Sequence, residues 1–368
     1  MKIRNISLRN YRNYNQLNIE LGKDVNVFQG ENAQGKTNIL ESIYYAAFGR
    51  SHRTNKVKDL IMWDEKNAQV RIYIEKDRLD KTIDMNLLSD GRKSISVNKV
   101  KLTKIGDLLG VLNVVMFSPE DLKIVKESPG LRRRFLDMEI SQLDKRYYNA
   151  LVAYNKVLAE RNALLKSRRI DRNVLDIYDI KLSEHADYIA RQRINYISLL
   201  NSYGYTIHKE ITTNKEEIRY EYKSSFSLEG NLKDNLKKEL TRKRETDIER
   251  GTTSAGIHRD DFLILINEVD AKDFGSQGQQ RTAVLTMKFS SLEIIRKVKG
   301  EYPILLLDDV FGNLDPKKTD IITETLNKHA GQTFITSASE HPFHAEQFRN
   351  NDANHWYTVS GGNVSRKY

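Results

Sequence analysis

Val25-Asn26-Val27-Phe28-Gln29 runs directly into Gly30-Glu31-Asn32-Ala33-Gln34-Gly35-Lys36-Thr37, and Asn38-Ile39-Leu40-Glu41 follows. The order is an apolar strand, the spacing G-x-x-x-x-G-K-T, and then a helix. Glycines let a backbone wrap phosphate oxygens closely, and the loop N–H groups and the helix N-terminus supply donors for anionic oxygen. In that arrangement Lys36 reaches the β- and γ-phosphates and the Thr37 hydroxyl ligates Mg2+. Gly30, Asn32, Ala33, Gln34, Gly35, Lys36, Thr37 and Asn38 are therefore the expected nucleotide-binding residues, with ATP and Mg2+ as the cofactors. The flanking strand and helix make a chance match improbable.

A second site lies far downstream. Ile304-Leu305-Leu306-Leu307 is a continuous apolar run that ends in Asp308-Asp309. A strand buried on both faces reads this way. Asp308, at its carboxyl end, is placed to hold Mg2+, and Asp309 to act as general base on the attacking water. Roughly 270 residues separate Thr37 from Asp308, so a further segment is inserted between the two motifs.

Between them stands Phe274-Gly275-Ser276-Gln277-Gly278-Gln279-Gln280-Arg281. Ser276 is suited to cap a helix that runs from Gln277 to Lys299 and closes at Gly300. With Walker motifs on either side, Ser276, Gly278 and Gln280 are expected to meet the γ-phosphate held by a second copy of the chain. The nucleotide would then be shared in an ATP-dependent homodimer.

The inserted segment carries helical periodicity. Ser128-Pro129 opens a stripe at Leu136, Ile140, Leu143, Tyr147, Leu151, Tyr154, Leu158 and Leu165, which reads as one long helix. A charged link, residues 166 to 172, leads to a second stripe through Leu175, Tyr178, Leu182, Ile189, Tyr196, Leu200 and Tyr203. Two stripes joined by a polar link predict an antiparallel helical hairpin. Strand patterns occupy Ile3–Leu8, Leu17–Leu21, Gln69–Glu75 and Ser94–Val97 before it, and Phe262–Ile266, Tyr302–Leu307 and Gln332–Ser337 after it. The fold class is α/β: a P-loop ATPase head of the ABC/SMC type with an inserted helical-hairpin domain. The expected division is 1–120 for the lobe with Walker A, 121–250 for a mostly helical arm, and 251–368 for the lobe with the signature and Walker B.

Composition bounds the function. The 368 residues are 39% hydrophobic and 30% charged, with no cysteine. Thiolate metal sites, disulfides and cysteine nucleophiles are excluded. The longest apolar runs, such as Leu108–Phe117, fall short of the roughly 20 residues of a membrane helix. Met1 to Arg9 alternates as a strand does and not as a signal peptide, so the expected location is cytoplasmic, with no membrane partner. The net charge of +10 favours a polyanion partner. Arg132-Arg133-Arg134, Arg168-Arg169 and Arg242-Lys243-Arg244 are candidate phosphate contacts, each equally readable as a solvated face. No helix-turn-helix or zinc pattern is present, so contact with a nucleic acid is expected through shape and backbone, without sequence readout. In His258-Arg259-Asp260-Asp261 the adjacent acids point to opposite faces of a strand, and a structural ion pair is the expected role.

At these motifs the chain resembles the RecF family, bacterial recombination-mediator ATPases related to SMC heads. Leu8-Arg9-Asn10-Tyr11-Arg12-Asn13-Tyr14, Gly49-Arg50-Ser51-His52-Arg53-Thr54, Phe117 to Leu122, Ser128 to Asp137, Gly256 to Asp261 and Ser276 to Arg281 carry the likeness, which extends over essentially the whole chain. It implies that Arg12 contacts the nucleotide, with Arg53 as an additional basic contact. It further implies binding to single-stranded/double-stranded DNA junctions or gaps, and RecA loading at gaps with RecO and RecR. Three departures stand out. Walker B ends Asp308-Asp309 where transporter ATPases have Asp-Glu, which predicts slow hydrolysis. Gly312-Asn313-Leu314-Asp315 has Asn where an acid often precedes Leu-Asp. No switch histidine is evident after Phe334-Ile335-Thr336-Ser337, where Thr336 or Ser337 could substitute. The competing readings are a transporter motor subunit, which the Arg12 segment, the hairpin and the basic charge oppose, and a nucleotide-gated DNA clamp with negligible turnover.

Overall fold

Alternation along Asn67–Glu75, with every second side chain buried, is the simplest local rule in the chain and builds its first sheet. The structure, a computed structural model, describes residues 1–76, 79–311, 316–338 and 353–367. The strands are β1 (Lys2–Tyr11), β2 (Tyr14–Glu20), β3 (Val25–Gln29), β4 (Asn67–Glu75), β5 (Lys81–Leu88), β6 (Lys93–Val97), β7 (Val100–Lys101), β8 (Val114–Phe117), β9 (Ile218–Lys223), β10 (Asp261–Ile266), β11 (Val269–Asp270), β12 (Ile304–Asp308), β13 (Thr333–Ser337), β14 (His355–Ser360) and β15 (Asn363–Arg366). The helices are α1 (Lys36–Phe48), α2 (Leu122–Lys126), α3 (Pro129–Leu143), α4 (Lys145–Leu165), α5 (Arg172–Ile211), α6 (Leu232–Arg242), α7 (Arg244–Arg250), α8 (Gln277–Lys299) and α9 (Pro316–His329).

By packing, the chain forms two units. The first comprises Met1–Asp121, Glu210–Asn214 and Leu285–Tyr368; the second comprises Leu122–Lys209 and Lys215–Val284. The boundary falls within α8, so the signature residues Ser276 to Gln280 and the helix as far as Val284 belong to the second unit, and Leu285 onward belongs to the first.

Two sheets shape the first unit. One is antiparallel, in the order β2-β1-β4-β5-β6-β7. The other, β15-β14-β3-β13-β12-β8, is parallel through its centre, and only β15 runs antiparallel to its neighbour. Every residue of β12 and β13 is buried. This is why β12 reads as an apolar run up to Asp308 and neither strand alternates, as expected for a parallel sheet covered on both faces. Helix α1 follows β3 and is buried along nearly its whole length, including Ile39, Leu40, Ile43 and Phe48.

The second unit contains α3, the antiparallel pair α4 and α5, and the small sheet β11-β10-β9. The expected helical hairpin is α4 and α5. The stripe from Leu136 to Leu165 is not one helix, however. It breaks at Asp144, whose backbone is extended (φ −137°, ψ 104°) and whose carboxylate accepts the Arg146 N–H at 2.8 Å. An aspartate that satisfies a helix start competes with helix continuation, and the Tyr188 hydroxyl donates to its other oxygen.

The His258–Asp261 segment is structural, as expected. Asp261 takes both arms of the Arg132 guanidinium (2.7 and 2.9 Å), and Asp260 accepts from the Tyr222 hydroxyl and the Ser225 N–H. This corrects the reading of Arg132 as a phosphate contact. Its side chain is buried, and its remaining N–H groups donate to the carbonyls of Ile124 and Glu127.

Candidate functional site

The loop between β3 and α1 begins where β3 lies beside β13, with the Gly30 N–H donating to the Ser337 carbonyl at 3.2 Å. Gly35 has φ 114°, and a Cβ there would lie 2.5 Å from Asn13 Nδ2 and 2.8 Å from the Tyr14 hydroxyl. Only glycine tolerates both the backbone angle and the crowding. A Cβ on Gly30 would lie 2.2 Å from the Val359 carbonyl oxygen. Asn13 and Tyr14 hold the loop from outside. Asn13 Nδ2 donates to the Gln34 carbonyl (2.9 Å), the Asn38 side chain donates to Asn13 Oδ1 (2.8 Å), and the Tyr14 hydroxyl donates to the Gly35 carbonyl (3.0 Å). The Gln34 side chain accepts the Gly361 N–H at 2.6 Å. Glu31, Asn32 and Ala33 form the exposed crest of the loop, Ala33 with a positive φ of 64°.

The start of α1 is built for an anion. No side chain caps it and its first turn carries no acid, so the N-terminal dipole faces the loop without a compensating side-chain charge. Lys36 is 8% exposed, and its ammonium donates to the carbonyls of Gly30 (2.7 Å) and Glu31 (2.6 Å). Burial pulls its pKa down, and the charges of Asp309 and Asp308 oppose that shift.

The acids arrive from the neighbouring strands. β13 lies between β3 and β12, and Asp308 is in register with Thr336. Asp308 Oδ1 accepts two hydroxyls, Thr37 at 2.9 Å and Thr336 at 2.7 Å. Thr336 also accepts the Asp309 N–H at 3.0 Å. Asp309 leaves the strand in the left-handed region (φ 49°), with its side chain exposed. Desolvation, and then repulsion from Asp308, raise its pKa, while Lys36 lowers it. Lys36 and Thr37, widely separated in sequence from Asp308 and Asp309, thus meet them at the carboxyl ends of the parallel strands β3 and β12, on either side of β13, where open α/β sheets place their ligands. The Thr37–Asp308 pair fits a hard divalent cation, because Mg2+ takes one or two protein oxygens together with substrate phosphates.

Arg12, also with positive φ (54°), donates from Nε and Nη2 to the buried Glu41 (2.8 and 2.7 Å) and from Nη1 to the Asp59 carbonyl (2.6 Å). Arg53 donates to Asn38 Oδ1 at 3.0 Å. Both cations therefore ring the first turns of α1.

The signature residues are described within the second unit. Ser276 Oγ accepts the Gln279 N–H at 3.2 Å, and the Gln279 side chain accepts the Ser276 N–H at 2.9 Å, a reciprocal cap on α8. Gly278 lies in its first turn. Gln280 is turned inward, donating to the Ala271 carbonyl at 2.9 Å. Gly312–Asp315 and the chain immediately after Ala338 lie outside the described residues.

Sequence reasoning missed Asn13, Tyr14 and Glu41 as partners of the loop. The one signal for Asn13 and Tyr14 was their place in a segment that carries the family likeness; Glu41 lies in none of those segments. Among the described residues no helix is long and apolar enough to cross a membrane.

A family model for the RecF/RecN/SMC N-terminal domain matches residues 2–354. The "DNA replication and repair protein RecF" of Clostridium beijerinckii is 57% identical over 339 residues, 92% of each chain. That of Clostridium botulinum is 48% identical over the full length of both. Among solved structures, the recombination mediator RecF with ATP, described as part of the RecFOR pathway, superposes with a TM-score of 0.91 at 36% identity, covering 100% of this chain and 98% of that one. An SMC head from Pyrococcus furiosus shares the fold, with a TM-score of 0.56 at 18% identity and coverage of 99% and 95%.

Proposed function

Because this chain belongs to the RecF family of SMC-type ABC ATPases, we propose that it is a DNA-binding ATPase of recombinational repair. In this reading it dimerises on ATP, hydrolyses it slowly and with stimulation by DNA, and promotes RecA loading at single-strand gaps with RecO and RecR in the cytoplasm. The observation that carries the reading is the convergence of Lys36, Thr37, Asp308 and Asp309 around an uncapped helix N-terminus.

The residues divide the work. The loop from Gly30 to Asn38 binds the phosphates through backbone N–H groups, and the Lys36 ammonium exchanges its two carbonyl partners for β- and γ-oxygens. Thr37 and Asp308 hold Mg2+, which supplies charge neutralisation to the phosphates. Asp309, its pKa raised by Asp308, orients the water and accepts its proton. Thr336 fixes both acids from the strand between the motifs. Arg12 and Arg53 add positive charge at the rim. Ser276, Gly278 and Gln280 complete the site of a second copy, and the start of α8, whose first turn carries no acid, suits a γ-phosphate. The helical arm, the second unit, is assigned to DNA contact without sequence readout.

The deciding experiment is the ATP hydrolysis rate of the purified chain with and without gapped DNA. Stimulation by DNA supports the repair ATPase. A measurable rate indifferent to DNA removes DNA as the coupled partner, and no turnover despite ATP-dependent dimerisation selects the nucleotide-gated clamp.

A further inference from the structure

Glu41 is the only carboxylate on α1, and its side chain is fully buried. A charge removed from water must be matched by partners. Its Oε1 accepts the Ser51 hydroxyl (2.5 Å) and Arg12 Nη2 (2.7 Å), and its Oε2 accepts Arg12 Nε (2.8 Å) and lies 3.8 Å from Arg53 Nη1. Ser51 in turn accepts the N–H groups of Arg53 (2.9 Å) and Thr54 (3.2 Å). One buried anion therefore staples three things to the phosphate-loop helix: the Arg12 fork, the Ser51 turn and the root of Arg53. Arg12 is also held at its backbone, its N–H donating to the Leu60 carbonyl (2.9 Å), and at Nη1 by Asp59. Its side chain retains 19% exposure, so it is fixed without being sealed off.

Two cations on one anion leave a net positive charge beside an uncapped helix N-terminus. Without Glu41 the Arg12 side chain would keep only its contact with the Asp59 carbonyl and Arg53 only its bond to Asn38, and both would gain freedom. Ordering such a chain on binding opposes affinity.

We propose that Glu41 is a positioning residue: it presets Arg12 and Arg53 at the rim of the phosphate loop, so that ATP meets an ordered cationic pair. This rests on the reading of that loop as the ATP site. Because the pair is ordered before the nucleotide arrives, the effect falls on binding more than on the chemical step.

The test measures the dissociation constant of ATP with Mg2+, by displacement of a fluorescent ATP analogue, together with KM and kcat. Glu41→Gln keeps the shape and removes the charge. It is expected to weaken ATP binding about tenfold and to raise KM far more than it lowers kcat. Ser51→Ala, which removes one partner of Glu41 and leaves its charge, is expected to shift binding the same way by about threefold. Arg12→Lys keeps the charge and loses the fork; adding Glu41→Gln to it is expected to weaken binding little further, because the two changes break one interaction. Should Glu41→Gln fail to fold, Ser51→Ala and Arg12→Lys decide. Native ATP affinity in Ser51→Ala and Glu41→Gln, with binding lost in Lys36→Ala, overturns the proposal alone. Native affinity in Lys36→Ala overturns the site reading, and the proposal with it.

Discussion

Asp309 sits one residue past the end of its strand, in a left-handed conformation, exposed, and beside a second acid. Its raised pKa has desolvation as the larger cause and Asp308 as the second, which moves a carboxylate toward the range of an effective base. Asp309→Asn is expected to leave ATP affinity unchanged, lower turnover by about 10²-fold or more, and accumulate the ATP-bound dimer in size-exclusion chromatography. Hydrolysis at the native rate in this variant removes Asp309 from the role of base. Gly35→Ala places a methyl group against Asn13 at a φ that alanine avoids, and is expected to abolish ATP binding; an unaltered dissociation constant would show that the loop has another shape. At this scale the motif residues were legible because their spacing along the chain encodes the chemistry. Glu41, Asn13 and Tyr14 were not. Their importance comes from contacts across 10 to 29 residues of sequence, and no local pattern distinguishes a buried glutamate from a solvated one.

Among the elements, the parallel strands and the hairpin were legible in sequence for opposite reasons. β12 and β13 are buried on both faces and lose all alternation, while α4 and α5 keep a single apolar stripe each. The interruption at Asp144 escaped because the stripe continues across it on both sides, and only the cap geometry marks the break. The turn before β10 carries a pH response that periodicity could not reveal. His258 is buried between the Tyr154 hydroxyl, 2.7 Å from Nδ1, and the Thr253 carbonyl, 3.0 Å from Nε2. The neutral ring satisfies both, accepting from Tyr154 and donating to Thr253. Burial first, and then the charges of Arg259 and Arg133, lower its pKa to about 4. The folded state thus binds this proton less readily than the unfolded chain, so the contribution is complete above about pH 6.5 and is lost as the pH falls toward 4. The size is on the order of 3 kcal/mol. Denaturant unfolding at pH 7, 5.5 and 4 should show stability falling across that window, and His258→Gln should flatten the fall. A native pH slope in the variant would mean that other groups cause it.

For the molecule as a whole, the arginines separate into those that hold the fold and those left for a partner. Arg161 is fully buried, donating to Asp179 (2.7 Å), Asp247 (2.8 Å) and Thr253 (2.8 Å); Arg244 joins the same group through Asp179 at 2.6 Å. Removing one partner from such a cluster strands the others, and Arg161→Ala is expected to destabilise the chain by about 3–5 kcal/mol, read from the denaturant midpoint. An unchanged midpoint would show that the cluster is solvated. Arg132 and Arg193 are likewise buried against carboxylates. These arginines serve the fold, so a count of arginines overstates the basic surface, whereas the net charge already cancels each of them against its carboxylate. Arg168 and Arg169 differ: both are exposed, in the link between α4 and α5, and no ion pair to either is found among the described residues. Each phosphate contact contributes about 0.9 to the slope of log K against log salt. Arg168→Ala with Arg169→Ala is therefore expected to reduce that slope by about 2 for gapped DNA and to weaken binding several-fold at low salt, with no sequence dependence and an unchanged unfolding midpoint. A native slope would remove the hairpin tip from the DNA surface and turn the search to the basic residues around the phosphate loop.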